Sequence, residues 1–459
     1  MTRRLFALVL FSALASVQAH AADYYVSTAG ADSNAGTAAS PWRTLARVSS
    51  ATLRPGDRVL LRGGDTFSGS LLIDQDDAGT ATAPVLITSY DSGLATIAPS
   101  AGAGIYAYNA AGIDISNLAI VSGGADSGIT VYTDLAGGVT LDRIHIDSVD
   151  VSGFAENGID IGSWNGATGY NDVRITRSRV HGNGRTGLLV YAEQRNVHRN
   201  VYVGQVTAYS NSGLADSATN TGSGIVFGGV NGGTIEDSVA YDNGANCTTS
   251  EGPVGIWAYD STAITIQRNE SYGNRSGGAD GGGFDLDQNV SNSVVQNNWS
   301  HDNAGAGFLL AQGLANDFHT GNIVRNNRSD NDGRQSGYGS IEVWGRVRNA
   351  EIYGNTTTRS TSSGSDVRIW NAGVTDRYTA GVHVHDNIFQ IDGGAFVTVT
   401  TDALAGATDL RFYANTYQGT GTWTWGAATF WTTTTWLSSG HETAAAPPAP
   451  PTGVRIIKQ

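Results

Sequence analysis

The chain has 459 residues, of which 61 are glycine and only 9 proline, and its formal charge is −14. That acidity argues against nucleic acid or an anionic lipid surface as a partner. It also disfavours a polyanionic substrate, unless calcium or a local arginine patch compensates. Hydrophobic residues make up 40% of the chain, too many for disorder, and the glycine content is too high for a helical protein, so many short strands between turns are expected.

The first 21 residues read as a secretion signal. Arg3 and Arg4 precede an apolar run from Leu5 to Val17, and Ala19-His20-Ala21 is a small-x-small cleavage site. The run is too short to span a membrane, and no later segment of about 18 apolar residues exists. A secreted or periplasmic location without a membrane span is therefore expected, and loss of Arg3 and Arg4 with no acid takes the charge to −16. Cys247 is the single cysteine, so no internal disulfide can form, and with no histidine near it in sequence it reads as a spectator. Lys458 is the single lysine and lies in the tail, which excludes a lysine base.

Next comes "SPWRTLARVSS", read as a short capping helix with Ser40 as N-cap, Pro41 in the first turn, and Trp42, Leu45 and Val48 on one side. From residue 104 a pattern recurs: a small residue, then apolar-x-apolar, then a turn. It appears as "GIYAYN", "GITVYT", "GIDIGS", "GLLVYA", "GIVFGG", "GIWAYD", "GFDLDQ", "GFLLAQ", "SIEVWG" and "VRIWN", with starts 24 to 37 residues apart. A second alternating run and an asparagine follow. One asparagine column reads Asn269, Asn298, Asn326, Asn355, Asn387 and Asn415; the other reads Asn183, Asn211, Asn243, Asn274, Asn303 and Asn331. Asparagine tolerates the left-handed bend and can form hydrogen-bonded stacks. The sequons at Asn269, Asn298 and Asn355 are read as ladder positions rather than glycosylation sites.

A coil of three short strands cannot bury its apolar face alone, so the coils must stack. The expected fold is all-β: a right-handed parallel β-helix of about ten or more coils over residues 22–440. A Trp-rich C-terminal cap, "TWTWGAATFWTTTTWLSSGHE", should close it, followed by a Pro/Ala-rich flexible tail over 441–459. A monomer is expected.

Alternation along each first strand points two side chains outward. One outward column reads Tyr106, Thr130, Asp160, Leu189, Val226, Trp257, Asp285, Leu309, Glu342 and Arg368. The other reads Tyr108, Tyr132, Gly162, Tyr191, Gly228, Tyr259, Asp287, Ala311, Trp344 and Trp370. At about 4.8 Å per coil, ten coils give a face about 43 Å long. Aromatic platforms among scattered carboxylates suit a sugar chain, with Tyr106, Tyr132, Tyr191, Trp257, Tyr259, Trp344 and Trp370 as stacking surfaces. The alternative is that loops cover this face and make the aromatics a second core layer.

Asp285 and Asp287 in "GGGFDLDQN" lie two residues apart, about 6.5–7 Å at the α-carbons. Paired carboxylates are what glycoside hydrolysis requires, and carboxyls about 6.5–9.5 Å apart would suit inversion. Glu342 or Asp160 could assist, and His301, in "WSHDN", could approach from one side. His181 shares the column of His301 with tyrosines between them, which also fits plain repeat geometry. A second reading is a Ca2+ site from Asp260, Asp280, Asp285 and Asp287, with Arg368 or His301 as the base of a lyase acting on a uronic-acid polymer. A third leaves the acids structural, in a non-catalytic glycan-binding or adhesin-like module. No cofactor is required under the hydrolase reading.

The opening "DYYVSTAGADSNAGTAASPWRTLARV" with "LRPGDRVLLRGGDTFSG", and the pair "GGGFDLDQNVSNSVVQNNWSHDNAGAGFLL", resemble secreted bacterial β-helix proteins of the pectin lyase-like superfamily, over roughly residues 23–440. The resemblance implies a carbohydrate substrate and a site on the outward face of the first strands. The superfamily holds polysaccharide lyases, glycoside hydrolases, esterases, epimerases and adhesins. Its lyases often use a lysine base, absent here, and "DLD" is spaced unlike the adjacent aspartates of polygalacturonases. No family's catalytic set is carried over. A polysaccharide-active enzyme results, with hydrolysis favoured over β-elimination. The loops "SNSGLADSATNTGS", "GANCTTSEGPV" and "NDGRQSGYG" are expected to wall the groove.

Overall fold

The computed structural model describes residues 21–335, 337–360 and 364–443, so the segment read as a secretion signal, apart from Ala21, lies outside the described residues. The chain winds as an all-β solenoid of about 13 turns. The middle strands of the coils form a 15-stranded sheet, and the first and third strands stack coil upon coil in parallel register. Trp423–Trp425 with Ala428–Phe430 is an antiparallel pairing at the C-terminal end. Among the described residues, no helix is long and apolar enough to cross a membrane.

The apolar-x-apolar motif sets this architecture. Ile256 and Ala258 stack on Phe284 and Leu286, which stack on Phe308 and Leu310, then Ile341 and Val343, all buried. Each pair is too small a core alone; stacking makes a continuous apolar interior. The Phe284 and Phe308 rings lie parallel with centroids 5.2 Å apart.

Two polar ladders run through the bends. In one, Asn269, Asn298, Asn327, Asn355, Asn387 and Asn415 each pass an Nδ2–H to the Oδ1 of the next at 3.0–3.1 Å. In the other, Asn183, Asn211, Asn243, Asn274 and Asn303 do the same and end on Asp332. Two predicted rungs, Asn326 and Asn331, are thus corrected by one residue. The left-handed bend falls on the residue before the rung, with φ of 54° at Asn326 and 58° at Asn331. Only the following residue turns its side chain inward, where it satisfies backbone groups that no water reaches. The sequons at Asn269, Asn298 and Asn355 fall on buried rungs.

The N-terminal helix is Leu45–Ser49, and its N-cap is Thr44 rather than Ser40. Asp32 accepts from the Arg43 and Thr44 amides and the Thr44 hydroxyl, holding the chain extended until Thr44. Trp42, Leu45 and Val48 are buried as expected, and Trp42 stacks on Tyr24 at 4.7 Å. At the other end Trp423 and Trp436 are buried against Phe396 and Phe412. The ordered cap runs past residue 440. Glu442 accepts from the Asn415 amide (3.0 Å), the Tyr417 hydroxyl (2.6 Å) and Trp436 Nε1 (2.6 Å), so it terminates the first ladder. Residues 441–443, expected in the tail, are thus part of the cap, and the rest of that segment, 444–459, lies outside the described residues. Cys247 is buried, 3.4 Å from the Thr249 hydroxyl.

Candidate active site

The outward columns are in the register that alternation predicts. Thr130 pairs with Asp160, Asp160 with Leu189, Leu189 with Val226, Val226 with Trp257, Trp257 with Asp285, Asp285 with Leu309, Leu309 with Glu342, and Glu342 with Arg368. The face is not an open 43 Å groove, however. A cavity of about 900 Å³ occupies the stretch from Asn157 to Trp370, and Thr219, Asn220, Glu251, Gly252 and Tyr338 wall it. These belong to the three loops expected to do so.

The floor is partly a second core layer. Val226, Val254 and Trp257 form a small apolar cluster outside the coils, with Leu189 and Tyr259 packed against it. Trp257 is only 7% exposed, and its Nε1 donates to the Ser223 hydroxyl at 3.0 Å. It supports the floor instead of offering an open stacking face.

Three aspartates converge on this floor, and their environments differ. Asp285, on strand Gly282–Leu286, is 4% exposed, and its Oδ1 is buried without a hydrogen-bond partner. Burial, then the charges of Asp287, Asp280 and Glu342, push its carboxyl well above the ordinary value. Asp287, just past the strand, stays partly open to the cavity, and burial raises its pKa to about 7. Asp280, also partly open, is raised by burial too, but two hydrogen bonds oppose the rise. The Tyr338 hydroxyl lies 3.1 Å from Oδ1, and the Gly252 amide donates to Oδ2 at 3.2 Å. The Asp280 amide in turn donates to the Tyr338 oxygen at 2.9 Å. Asp280 is the carboxylate best supported in its charged form.

Glu342 is fully buried and committed to its neighbours. It accepts from the Gly339 amide at 2.9 Å and from Trp370 Nε1, and Arg368 lies 3.6 Å away. Burial raises its pKa to about 7 against the pull of Arg368. Arg368 also sits 4.3 Å from the centroid of Trp370 and donates to the Gly337 carbonyl at 3.2 Å. This trio fixes Trp370 and pins both sides of Tyr338. Glu342 and Arg368 are therefore tied to each other and to Trp370.

Other predicted residues lie elsewhere. His301 is on the third strand of its coil, stacked on Tyr272 at 4.7 Å and bonded to Glu270 and Asp302. His181, Tyr209, Tyr241, Tyr272 and His301 make one continuous ring stack, so this column is repeat geometry and His301 does not reach the cavity. Asp160 lies four coils from Asp285, buried and bonded to the Thr130 hydroxyl at 3.1 Å. Tyr106 and Tyr132 flank Tyr108 beyond the cavity. Tyr191, Tyr259, Trp344 and Trp370 do line it. The calcium set does not assemble: among the described residues no group of three or more His, Cys, Asp or Glu is placed to hold a metal ion. Asp260 is taken up by Asn289 Nδ2 at 2.6 Å and Asp280 by Tyr338.

Among the cavity residues not singled out from sequence are Trp164 and Tyr338. Trp164 occupies the outward position two beyond Gly162, so extending the alternation would have found it. Tyr338 sits in a loop of variable length, and nothing in its spacing places its hydroxyl on Asp280.

The chain is thus a right-handed β-helix protein with the pectin lyase-like fold. Residues 164–357 match the right handed beta helix region family. A lacto-N-biosidase of Bifidobacterium longum subsp. longum is 35% identical over 173 residues, which take in 29% of this chain and 11% of that protein. The crystal structure of a lacto-N-biosidase from Eubacterium ramulus superposes with a TM-score of 0.59 at 16% identity, over 87% of this chain and 68% of that one. The A-module of a mannuronan C-5 epimerase from Azotobacter vinelandii gives 0.53 at 15% identity, over 86% and 92%. The two structural likenesses establish the fold.

Proposed function

We propose that this protein is an exported glycoside hydrolase that cleaves a neutral oligosaccharide or polysaccharide in the cavity of about 900 Å³. The observation that carries the reading is the pair Asp280 and Asp287. Both are partly open to one cavity, one held toward its charged form by two hydrogen bonds and the other with a pKa raised to about 7. Glycoside cleavage asks for that division between two carboxyls. Asp287 gives its proton to the glycosidic oxygen as the bond to the anomeric carbon breaks. Asp280 either attacks that carbon or takes the proton of the water that does, and the anomeric configuration of the product tells these apart. Asp285, which sequence spacing had paired with Asp287, is the more deeply buried of the two and has no hydrogen-bond partner for its Oδ1.

Charge supports a neutral sugar. Glu156, Glu251, Asp260, Asp280, Asp287 and Glu342 line the cavity, while among the described residues Arg185 is its single cationic lining residue and is paired with Glu156. A uronic-acid chain would meet like charge at Glu251, Asp260 and Asp280. The matching lacto-N-biosidase makes an aryl lacto-N-bioside the first substrate to test. The test is a panel of that glycoside, neutral oligosaccharides and uronic-acid polymers, with and without chelator. New reducing ends from neutral substrates, insensitive to chelator, are expected. Ultraviolet-absorbing unsaturated uronides, or activity only with added calcium, would overturn the reading.

A further inference from the structure

At the end of the cavity away from Trp370, the second outward column alternates glycine with tyrosine. A Cβ on Gly162 would lie 2.1 Å from Cζ of Tyr191, and one on Gly228 would lie 2.2 Å from Cζ of Tyr259. Each tyrosine ring therefore lies down across the glycine of the preceding coil. A ring standing upright from the sheet would fill the cavity; a ring laid flat makes a floor with an apolar face. Beside the Tyr191 ring stands Trp164, with centroids 6.4 Å apart and planes tilted by 48°. Trp164 is 56% exposed. The Arg185–Glu156 pair lies at the same end. The Trp164 indole presents an uncovered apolar face beside the Tyr191 ring.

We infer that Trp164 and Tyr191, the latter laid over Gly162, form a distal sugar subsite that makes this protein select for chain length. Trp164 follows strand Asn157–Ser163, and four coil steps separate that strand from the one carrying Asp285, about 19 Å at 4.8 Å per coil. The subsite is continuous with the carboxylates through one cavity, so one molecule can reach both. A single sugar ring cannot cover that distance; a chain of several can. The two aromatic faces suit the apolar face of a pyranose ring. The occupant is the far end of a neutral oligosaccharide. The inference rests on the hydrolase reading for which end reacts, but not for binding.

The test uses the Asp287→Asn protein, so that affinity is measured without turnover. Neutral oligosaccharides bearing lacto-N-biose at one end, from disaccharide to octasaccharide, are titrated by calorimetry. Affinity should rise with length and then level off once the chain reaches Trp164. Trp164→Ala should lower the affinity of the longest chain about tenfold, the scale of one lost ring contact, and leave the disaccharide unchanged. Gly162→Ala, which must lift the Tyr191 ring, should reproduce that loss. Affinity independent of length, or loss of disaccharide binding with Trp164→Ala, would overturn the inference even if the wild type proves to be a hydrolase. Length-dependent binding without hydrolysis by the wild type would uphold it and dismiss the hydrolase. Concentration-dependent dimerisation abolished by Trp164→Ala would make a second copy the occupant and overturn it as well.

Discussion

Asn326 and Asn327 are neighbours of the same type with opposite roles, and substituting each gives a sharp contrast. Asn327 is buried. Its Oδ1 accepts from the Asn298 amide at 3.0 Å and from Asn298 Nδ2 at 3.1 Å, and its Nδ2 donates to the Val295 carbonyl at 2.9 Å. Asn327→Ala leaves the Asn298 amide and the Val295 carbonyl short of these partners inside the solenoid. Each buried group left unsatisfied costs about 1–3 kcal/mol, so the pair predicts a loss of about 2–6 kcal/mol. Asn326 is exposed and holds φ at 54°, a conformation glycine adopts without strain. Asn326→Gly should therefore lie within about 0.5 kcal/mol of the wild type. Urea unfolding followed by far-ultraviolet circular dichroism measures both. If Asn327→Ala unfolds with the wild type, or Asn326→Gly falls as far as it does, the ladder argument fails.

Other expectations concern the site. Activity should fall as pH rises through about 7, where Asp287 loses its proton; a profile still rising at pH 8 would exclude it as the acid. Tyr338→Phe removes a donor that favours ionised Asp280, so the acidic limb should move to higher pH and kcat/KM should fall about tenfold to a hundredfold, the worth of a hydrogen bond to a charged group. An unmoved limb would detach Tyr338 from Asp280. Asp285 has a folded-state pKa above its unfolded value, so the folded state holds the proton and stability declines as pH rises from the ordinary carboxyl range. Asp285→Asn should thus raise the unfolding temperature at pH 8 and lose that advantage near pH 4. Equal shifts at both would contradict its being held neutral.

The solenoid was legible in the sequence because its coil motif is local: the alternation of Ile256 and Ala258 with Trp257 and Tyr259 states which way each side chain points. The same alternation gave the strand-borne site residues in correct register, Asp285 and Glu342 among them. It could not say which aspartate faces the cavity. That depends on loops 244–254 and 331–339, which bring Gly252 and Tyr338 onto Asp280 and are set by no repeat. The rungs were missed by one residue at Asn326 and Asn331 because asparagine serves both the left-handed bend and the ladder. Trp257 was read as a platform because the apolar cluster with Val226 and Val254 arises from contacts across two adjacent coils.

The most direct test of the central claim is kcat/KM for Asp280→Asn, Asp285→Asn and Asp287→Asn, each shown to be folded, on whichever neutral glycoside the wild type cleaves. Loss of a positioned acid or base removes about 10²–10⁴-fold in rate. Asp280→Asn and Asp287→Asn should lose at least that much, and Asp285→Asn, which touches no reacting atom, clearly less. Near wild-type activity in Asp280→Asn, or a larger loss in Asp285→Asn than in Asp287→Asn, would contradict the account and return the reacting pair to Asp285 and Asp287.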